Sequence, residues 1–483
     1  MSGSRKHTRS RTDPRRGRSA AARAPEPRPL GLEGERVVVV GFGASGRAAA
    51  DVLAAEGAHV LVTERRPGSA LDAVPPPGVA LRAGGHVPEH LDGATLVVAS
   101  PGVPPTAPVL TWARERGIPI WSELELGARL CRAPYIAVTG TNGKTTTVEL
   151  LAAMLCAGGM KARACGNVGY PFSLAAREAW DALAVEASSF QLVLQEHLHP
   201  SVSVLLNVAP DHLDWHGSFE AYADAKALVY ARQSKGDVHV GNRSDAGAAR
   251  ISAAAPCEQR WFRGDAPDAG ETGVVGGRVV VRPKRGKREQ TFPLPEAEGA
   301  FAIDAAAAVT AALAFGVSAG AVRSALESFE LLPHRGALVA VAGSVRFVDD
   351  SKATNPHAAL AALSGRRDVV LVAGGRAKGV DLSPLRDAAE SVRAVVTLGE
   401  AAPDIEAIFE DVVPTRRAAT IEEAVALAFV EARPGGEVIL APACASQDMF
   451  RDYAERGDLF AGAAQALAAA LAKNGDDAGA GDG

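Results

Sequence analysis

Residues 134–155, PYIAVTGTNGKTTTVELLAAML, read as an apolar strand, a glycine-bearing loop and a helix with apolar periodicity. That succession builds a nucleoside triphosphate site. The backbone N–H groups of Gly140, Thr141, Asn142, Gly143, Lys144, Thr145 and Thr146 can wrap phosphate oxygens at a helix N-terminus. Lys144 can reach the β- and γ-phosphates, and the Thr145 hydroxyl can ligate Mg²⁺. Val138 stands where the longer G-x-x-x-x-G-K-[ST] pattern has its first glycine, so the loop is the shorter GTNGKT form. Gly and Asn also serve ordinary turns, but a Lys-Thr pair between such a strand and such a helix argues against that reading.

At 483 residues the chain exceeds one ordinary core and favours several domains of about 100 to 200 residues. Its formal net charge of −5 provides no general attraction to nucleic acid or an anionic membrane. Five cysteines without a C-x-x-C pair suit reduced thiols in a cytoplasmic protein. No segment reaches the roughly 18 apolar residues of a membrane span. A basic arm over residues 1–31 and a tail over residues 473–483 are expected to be disordered, since neither carries enough apolar side chains to bury. The arm lacks the apolar stretch of a secretory signal.

Order is expected to begin with GERVVVVGFGASGRAAADVLAAEGAHVLVTER, a βαβ unit with Gly41, Gly43 and Gly46 in its turn and Glu64 ending its second strand. The turn would hold a diphosphate through Gly43, Ala44, Ser45 and Gly46, and LVVASPGVPP adds Ser100 and Gly102 at another strand end. A nicotinamide dehydrogenase accounts for this turn alone. A phosphate-loop switch protein accounts for the second glycine loop alone.

Farther along, Glu186 follows ALAV and Asp211-His212 follow SVLLNVAP, so these groups are expected across one crevice from the phosphate loop, where a metal can sit. A third alternation of strands and Ala-rich helices ends its strands in DDSKATNP, GGRAK and APACAS. Asp350, Lys352, Thr354, Lys378 and Ser446 thereby fall where a small-ligand site belongs.

Taken together, GTNGKTT, GNVG, E-x-SSFQL, NVAPDHLDWHG, LPHR, DDSKATN, AGGRAKG and APACASQDMF-x-x-Y-x-x-RGD-x-F resemble the Mur ligases, in order over roughly residues 34 to 470. Within that family, DSKATN and PACAS resemble the members that join D-glutamate to UDP-N-acetylmuramoyl-L-alanine in peptidoglycan precursor synthesis. The resemblance implies an α/β protein of three domains. Residues 32–132 would be a Rossmann-like domain for the UDP-substrate, 133–332 a P-loop ATPase domain, and 333–472 a second Rossmann-like domain for the amino acid. It implies a cytoplasmic ATP-dependent ligase, expected to be monomeric, with two Mg²⁺ sites. One metal would use Thr145 and Glu186, the other His212 and Lys226 as a carbamate. Gly43, Ala44, Ser45, Gly46, Glu64, Ser100, Gly102 and Asn167 would hold the UDP-substrate, Arg335 would add a cation at the transferring phosphoryl group, and Asp350 would face the ATP ribose. Lys352, Thr354, Lys378, Ser446 and Tyr453 would hold D-glutamate. From the residues alone, Lys226 reads as a helix-surface lysine in solvent.

Two departures from the family pattern stand out. Where relatives carry Gly-x-His-Asn-x-x-Asn facing adenine, this chain has Gly299, Ala300, Phe301, Ala302 and Ala305. Ala187 replaces the leucine that usually follows the metal-binding glutamate.

Overall fold

The computed structural model describes residues 30–71, 73–284, 288–294 and 300–479, with side chains as far as residue 473. Among these residues the strands form three sheets, of five, nine and six strands. Most of the basic arm lies outside the described residues, but Leu30 already packs against the first core. Of the expected tail, residues 473–479 belong to the closing helix Tyr453–Gly479, and residues 480–483 lie outside the described residues. All five cysteines are free thiols. Among the described residues no helix is long and apolar enough to cross a membrane.

The first sheet is parallel and centres on Arg36–Val40, flanked by His59–Glu64 and Leu96–Ala99. Val37 to Val40 are wholly buried, as a strand covered by helices on both faces requires. The helix Ala44–Ala55 starts directly after Gly43. A side chain at Gly46 would press to 2.1 Å from the Gly41 carbonyl oxygen, so this turn admits only glycine there.

In the nine-stranded sheet Tyr135–Thr139 lies between Ala182–Glu186 and Val202–Leu205, parallel to both. Their carboxyl ends release the phosphate loop, Glu186 and the stretch from Leu206 to His212 side by side. The third sheet does the same with Val345–Asp349, Glu437–Leu440 and Val369–Gly374, which are parallel neighbours. Their ends lead to Asp350, Ser446 and Lys378. The helix Ala300–Phe315 is apolar but for Asp304 and Thr310 and packs on Lys144–Ala157 in the central core. Ala302 and Ala305 are buried there, and Phe301 stacks on Phe329 at 5.9 Å between ring centroids. The positions that carry amides in relatives are therefore core positions here; Gly299 lies outside the described residues.

Candidate active site

Gly140 and Gly143 have φ of 159° and 83°, and helix Lys144–Ala157 begins immediately after the second. Their freedom lets the loop turn its N–H groups toward one side. Lys144 Nζ donates to the carbonyl oxygens of Gly140 and Thr141, each at 2.9 Å. Burial lowers its pKa, against the pull of Glu186 and Asp211. Thr145 Oγ1 donates to Glu186 Oε2 at 2.8 Å, and Asn167 Nδ2 donates to Glu186 Oε1 at 3.1 Å. The buried carboxylate is thus fixed at both oxygens by two residues of the expected site. Thr146 is buried in the first turn of the helix. Ala187 is wholly buried in the core beneath the strand end.

Lys226 is 1% exposed, which overturns the solvent-exposed reading of its helix. Ser218 caps the helix Phe219–Ala227, whose inner face carries Tyr222 and Lys226. Lys226 Nζ donates to Gly140 O at 2.8 Å and lies 4.3 Å from the centre of the Tyr222 ring. Burial, aided by the Lys144 charge, pushes the Lys226 pKa well below the usual lysine range. His212 adopts φ 54°, and its backbone N–H donates to Asp211 Oδ1 at 2.9 Å. Its imidazole meets Phe190 edge-to-face at 4.7 Å. Burial favours the neutral ring; Asp211 opposes that effect, while Lys378, Lys144 and Lys226 add to it. Neutral imidazole is the metal-binding form.

The third domain supplies a cationic wall. Arg335 makes no hydrogen bond or ion pair among the described residues, yet its charge acts on Lys144, Asp304, Asp350 and Lys352. Burial raises Asp350 to about 7 against that charge. Lys352 Nζ rests 3.7 Å above the centre of the Tyr453 ring, and burial together with Arg335 and Lys144 lowers its pKa to about 8. Thr354 lies one position before Asn355, which caps the helix Pro356–Leu363. Lys378, at φ 55°, lines a 480 Å³ cavity with Asp214, Arg376, Glu400 and Asp404. Ser446 Oγ is buried without a hydrogen-bond partner among the described residues, as an aimed but unused donor would be.

In the first domain, Ala44 and Ser45 begin the helix after Gly43, and Ser100 Oγ donates to Gly41 O at 3.4 Å. Gly102 follows in the Ser-Pro-Gly turn. Glu64 Oε2 accepts from Phe42 N at 2.7 Å, and Arg66 donates to both Glu64 oxygens. Burial would raise the Glu64 pKa, but the Arg66 side-chain hydrogen bond and the backbone donors of Arg66 and Phe42 hold it at about 2. Glu64 thus anchors the glycine turn itself.

Asp304 escaped the sequence reading. It lies beneath the phosphate loop, where a side chain at Gly143 would run into its carboxylate, and burial raises its pKa to about 7 despite Arg335 and Lys144. A single acid within an otherwise apolar Ala-rich helix was the available signal. Asn207 also grips the loop, accepting from Asn142 N at 2.8 Å and donating to Asn142 O at 3.2 Å. A larger cavity, of 1010 Å³, opens beside Tyr135, Trp121 and Arg232. Tyr135 starts the strand whose other end carries the phosphate loop, so that cavity is remote from this chemistry.

Comparison with known proteins matches three domains in order along the chain. Residues 35–122 match the Mur ligase MurD-like N-terminal domain, 138–269 the Mur ligase middle domain, and 334–444 the Mur ligase glutamate ligase domain. A Frankia casuarinae protein named UDP-N-acetylmuramoylalanine–D-glutamate ligase is 46% identical over 447 residues, covering 89% of this chain and 94% of its own. The Streptomyces coelicolor protein of the same name is 40% identical over 479 residues, covering 91% and 100%. Among solved structures, UDP-N-acetylmuramate-alanine ligase MurC from Thermotoga maritima shares the fold at a TM-score of 0.56 and 17% identity, covering 89% of this chain and 99% of its own. A pseudomurein peptide ligase type C from Methanothermus fervidus does so at 0.55 and 18%, covering 84% and 96%. With its three domains matched in order and relatives this similar over nearly their whole length, the chain belongs to the Mur ligase family.

Proposed function

We propose that this chain joins D-glutamate to UDP-N-acetylmuramoyl-L-alanine at the expense of ATP, in cytoplasmic peptidoglycan precursor synthesis. The observation that carries this reading is the Glu186 carboxylate held between Thr145 and Asn167 beside the Lys144 loop, in a chain whose relatives bear that activity in their names.

The Thr145 hydroxyl and Glu186 carboxylate are adjacent hard oxygen donors and fit a Mg²⁺ ion. The Lys226 amine fits a second one only as its carbamate. Burial shifts the amine toward the free base, the form that adds to CO₂, and the resulting anion would join His212, which burial shifts toward its neutral form, as a ligand. Bound Mg²⁺ supplies charge neutralisation at the phosphates.

A carboxylate is a poor electrophile, so activation precedes amide formation. The alanyl carboxylate oxygen bonds to the γ-phosphorus of ATP as the bond to ADP breaks, giving an acyl phosphate. The D-glutamate amine then adds to the acyl carbon, and the tetrahedral intermediate expels phosphate while nitrogen loses a proton. Lys144 and Arg335 oppose the charge that collects during phosphoryl transfer, with the loop N–H groups from Gly140 to Thr146 on the phosphates and Asp350 toward the ribose. The turn at Gly43, Ala44, Ser45 and Gly46, with Glu64, Ser100 and Gly102 around it, holds the UDP diphosphate, and Asn167 orients the far end of that substrate. Lys352, Lys378, Thr354 and Ser446 receive the carboxylates of D-glutamate, with Tyr453 as a wall. Adenine, lacking the amide-bearing motif, would lie against the apolar start of the helix Ala300–Phe315.

The test measures phosphate release with ATP and UDP-N-acetylmuramoyl-L-alanine, with and without D-glutamate. Release that depends on D-glutamate is expected; its absence, or equal release with another amino acid, overturns the assignment.

A further inference from the structure

The phosphate loop and the third domain are joined by a reciprocal pair of amides. Asn142 Nδ2 donates to Asn355 Oδ1 at 3.2 Å, and Asn355 Nδ2 donates to Asn142 Oδ1 at 3.0 Å, across 213 residues of sequence. The orientation of Asn355 is set by two independent partners. Its Oδ1 accepts from Ala358 N at 2.9 Å, capping the helix Pro356–Leu363, and its Nδ2 also reaches Asp211 Oδ2 at 3.2 Å. Asn355 is 3% exposed, so water competes little for these bonds. His357 Nδ1 adds a contact to Asn142 Nδ2 at 3.0 Å. On the other side, Asn207 holds both backbone groups of Asn142. Asn142 is thus clamped within the loop by one domain while its side chain is gripped by the other.

We infer that Asn355 is a positioning residue that locks the third domain to the phosphate loop and so couples nucleotide binding to assembly of the D-glutamate pocket. The loop cannot shift to accommodate phosphates without moving Asn142, and Asn142 cannot move without displacing Asn355. Lys352 and Thr354 precede Asn355 on the same short segment, and Lys352 N is itself tied to His334 O at 3.2 Å. Movement at the amide pair is therefore passed to the groups assigned to the amino acid. This inference rests on the ligase reading for the identity of the two substrates.

Asn355→Ser tests it, because serine caps a helix about as well as asparagine but lacks the bridging amide. We expect KM for ATP and for D-glutamate to rise together by about tenfold, as for loss of hydrogen bonds at a buried contact. KM for the UDP-substrate should remain unchanged, while the melting temperature falls modestly because Asn142 and Asp211 each lose a buried partner. Asn142→Ser should reproduce the D-glutamate effect, and the double variant should be no worse than the poorer single, since either change breaks the same pair. Unchanged KM for ATP and D-glutamate in Asn355→Ser, or effects that multiply in the double variant, overturn the inference. Should Asn355→Ser fail to fold, Asn355→Asp serves: it keeps the cap and the acceptor, removes the donor and faces Asp211 with a like charge. A readout independent of turnover is X-ray scattering with adenylyl imidodiphosphate. Because the pair is already made, the wild type should be about as compact without the nucleotide as with it, and Asn355→Ser should be more expanded without it; equal dimensions rule the lock out. If wild-type phosphate release does not depend on D-glutamate, the ligase reading fails, and the scattering comparison still decides whether the amide pair holds the domains.

Discussion

Lys226 Nζ donates to the carbonyl oxygen of Gly140 at 2.8 Å, tying the helix Phe219–Ala227 to the first residue of the phosphate loop. The amine lies over the Tyr222 ring, and its burial, with the Lys144 charge nearby, lowers its pKa. Conversion to a carbamate would place an anion between the loop and His212.

Lys226→Ala is therefore expected to lower turnover on the order of a hundredfold or more, as for loss of an electrostatic group at a phosphoryl-transfer site. Added formate or acetate should restore part of it by placing a carboxylate in the vacated space. Wild-type turnover in this variant, measured by phosphate release, would remove Lys226 from the mechanism.

Among the described residues the Lys144 side chain hydrogen-bonds the Gly140 and Thr141 carbonyls of its own loop and no others. Lys144→Ala should leave the melting temperature close to wild type while reducing turnover on the order of a hundredfold or more. Near-normal turnover would show that the cation does not meet the transferring group.

The unpartnered Ser446 hydroxyl and the Lys378 ammonium predict different signatures. Ser446→Ala removes a buried, unsatisfied polar atom, so the protein should be as stable or slightly more so while KM for D-glutamate rises. Lys378→Ala removes a carboxylate partner worth about 1.5 to 3 kcal/mol, and KM for D-glutamate should rise about ten- to hundredfold with KM for ATP nearly constant. Steady-state kinetics at saturating ATP and UDP-substrate separate the two. Unaltered D-glutamate kinetics in both variants would locate the amino acid elsewhere.

Asp304 makes stability depend on pH. Burial raises its folded-state pKa from 3.8 to about 7, so the folded state binds this proton more tightly than the unfolded chain does. The stability from its protonation is complete below about pH 4 and is lost as pH rises through 7. Asp304→Asn should match wild type in melting temperature near pH 4 and gain on it steadily up to about pH 8. A difference independent of pH would mean that the carboxyl group is ionised throughout.

The phosphate loop was legible because its chemistry is local: strand, glycines, Lys144 and Thr145 occupy consecutive positions, and the periodicity of the helix that follows is visible in the same window. The three α/β units were legible for a similar reason, since buried parallel strands such as Val37 to Val40 appear as uninterrupted apolar runs. The closing helix was cut short at 472 because a polar, glycine-bearing end resembles a tail, although helix continues there as far as Gly479.

Which distant side chains share space with that loop is set by packing between elements far apart in the chain. Phe219–Ala227 has no strong apolar stripe, so nothing local states that its face bearing Tyr222 and Lys226 turns inward; packing against Gly140 and Thr141 does. Asp304 reaches Gly143 only because its helix crosses Lys144–Ala157, and Asn355 meets Asn142 only because two domains abut at the carboxyl ends of their strands. The local elements could be read in advance because their signals lie within a few turns of chain. The charges and amides around the phosphates became a site through contacts between residues far apart in sequence, which no local periodicity encodes.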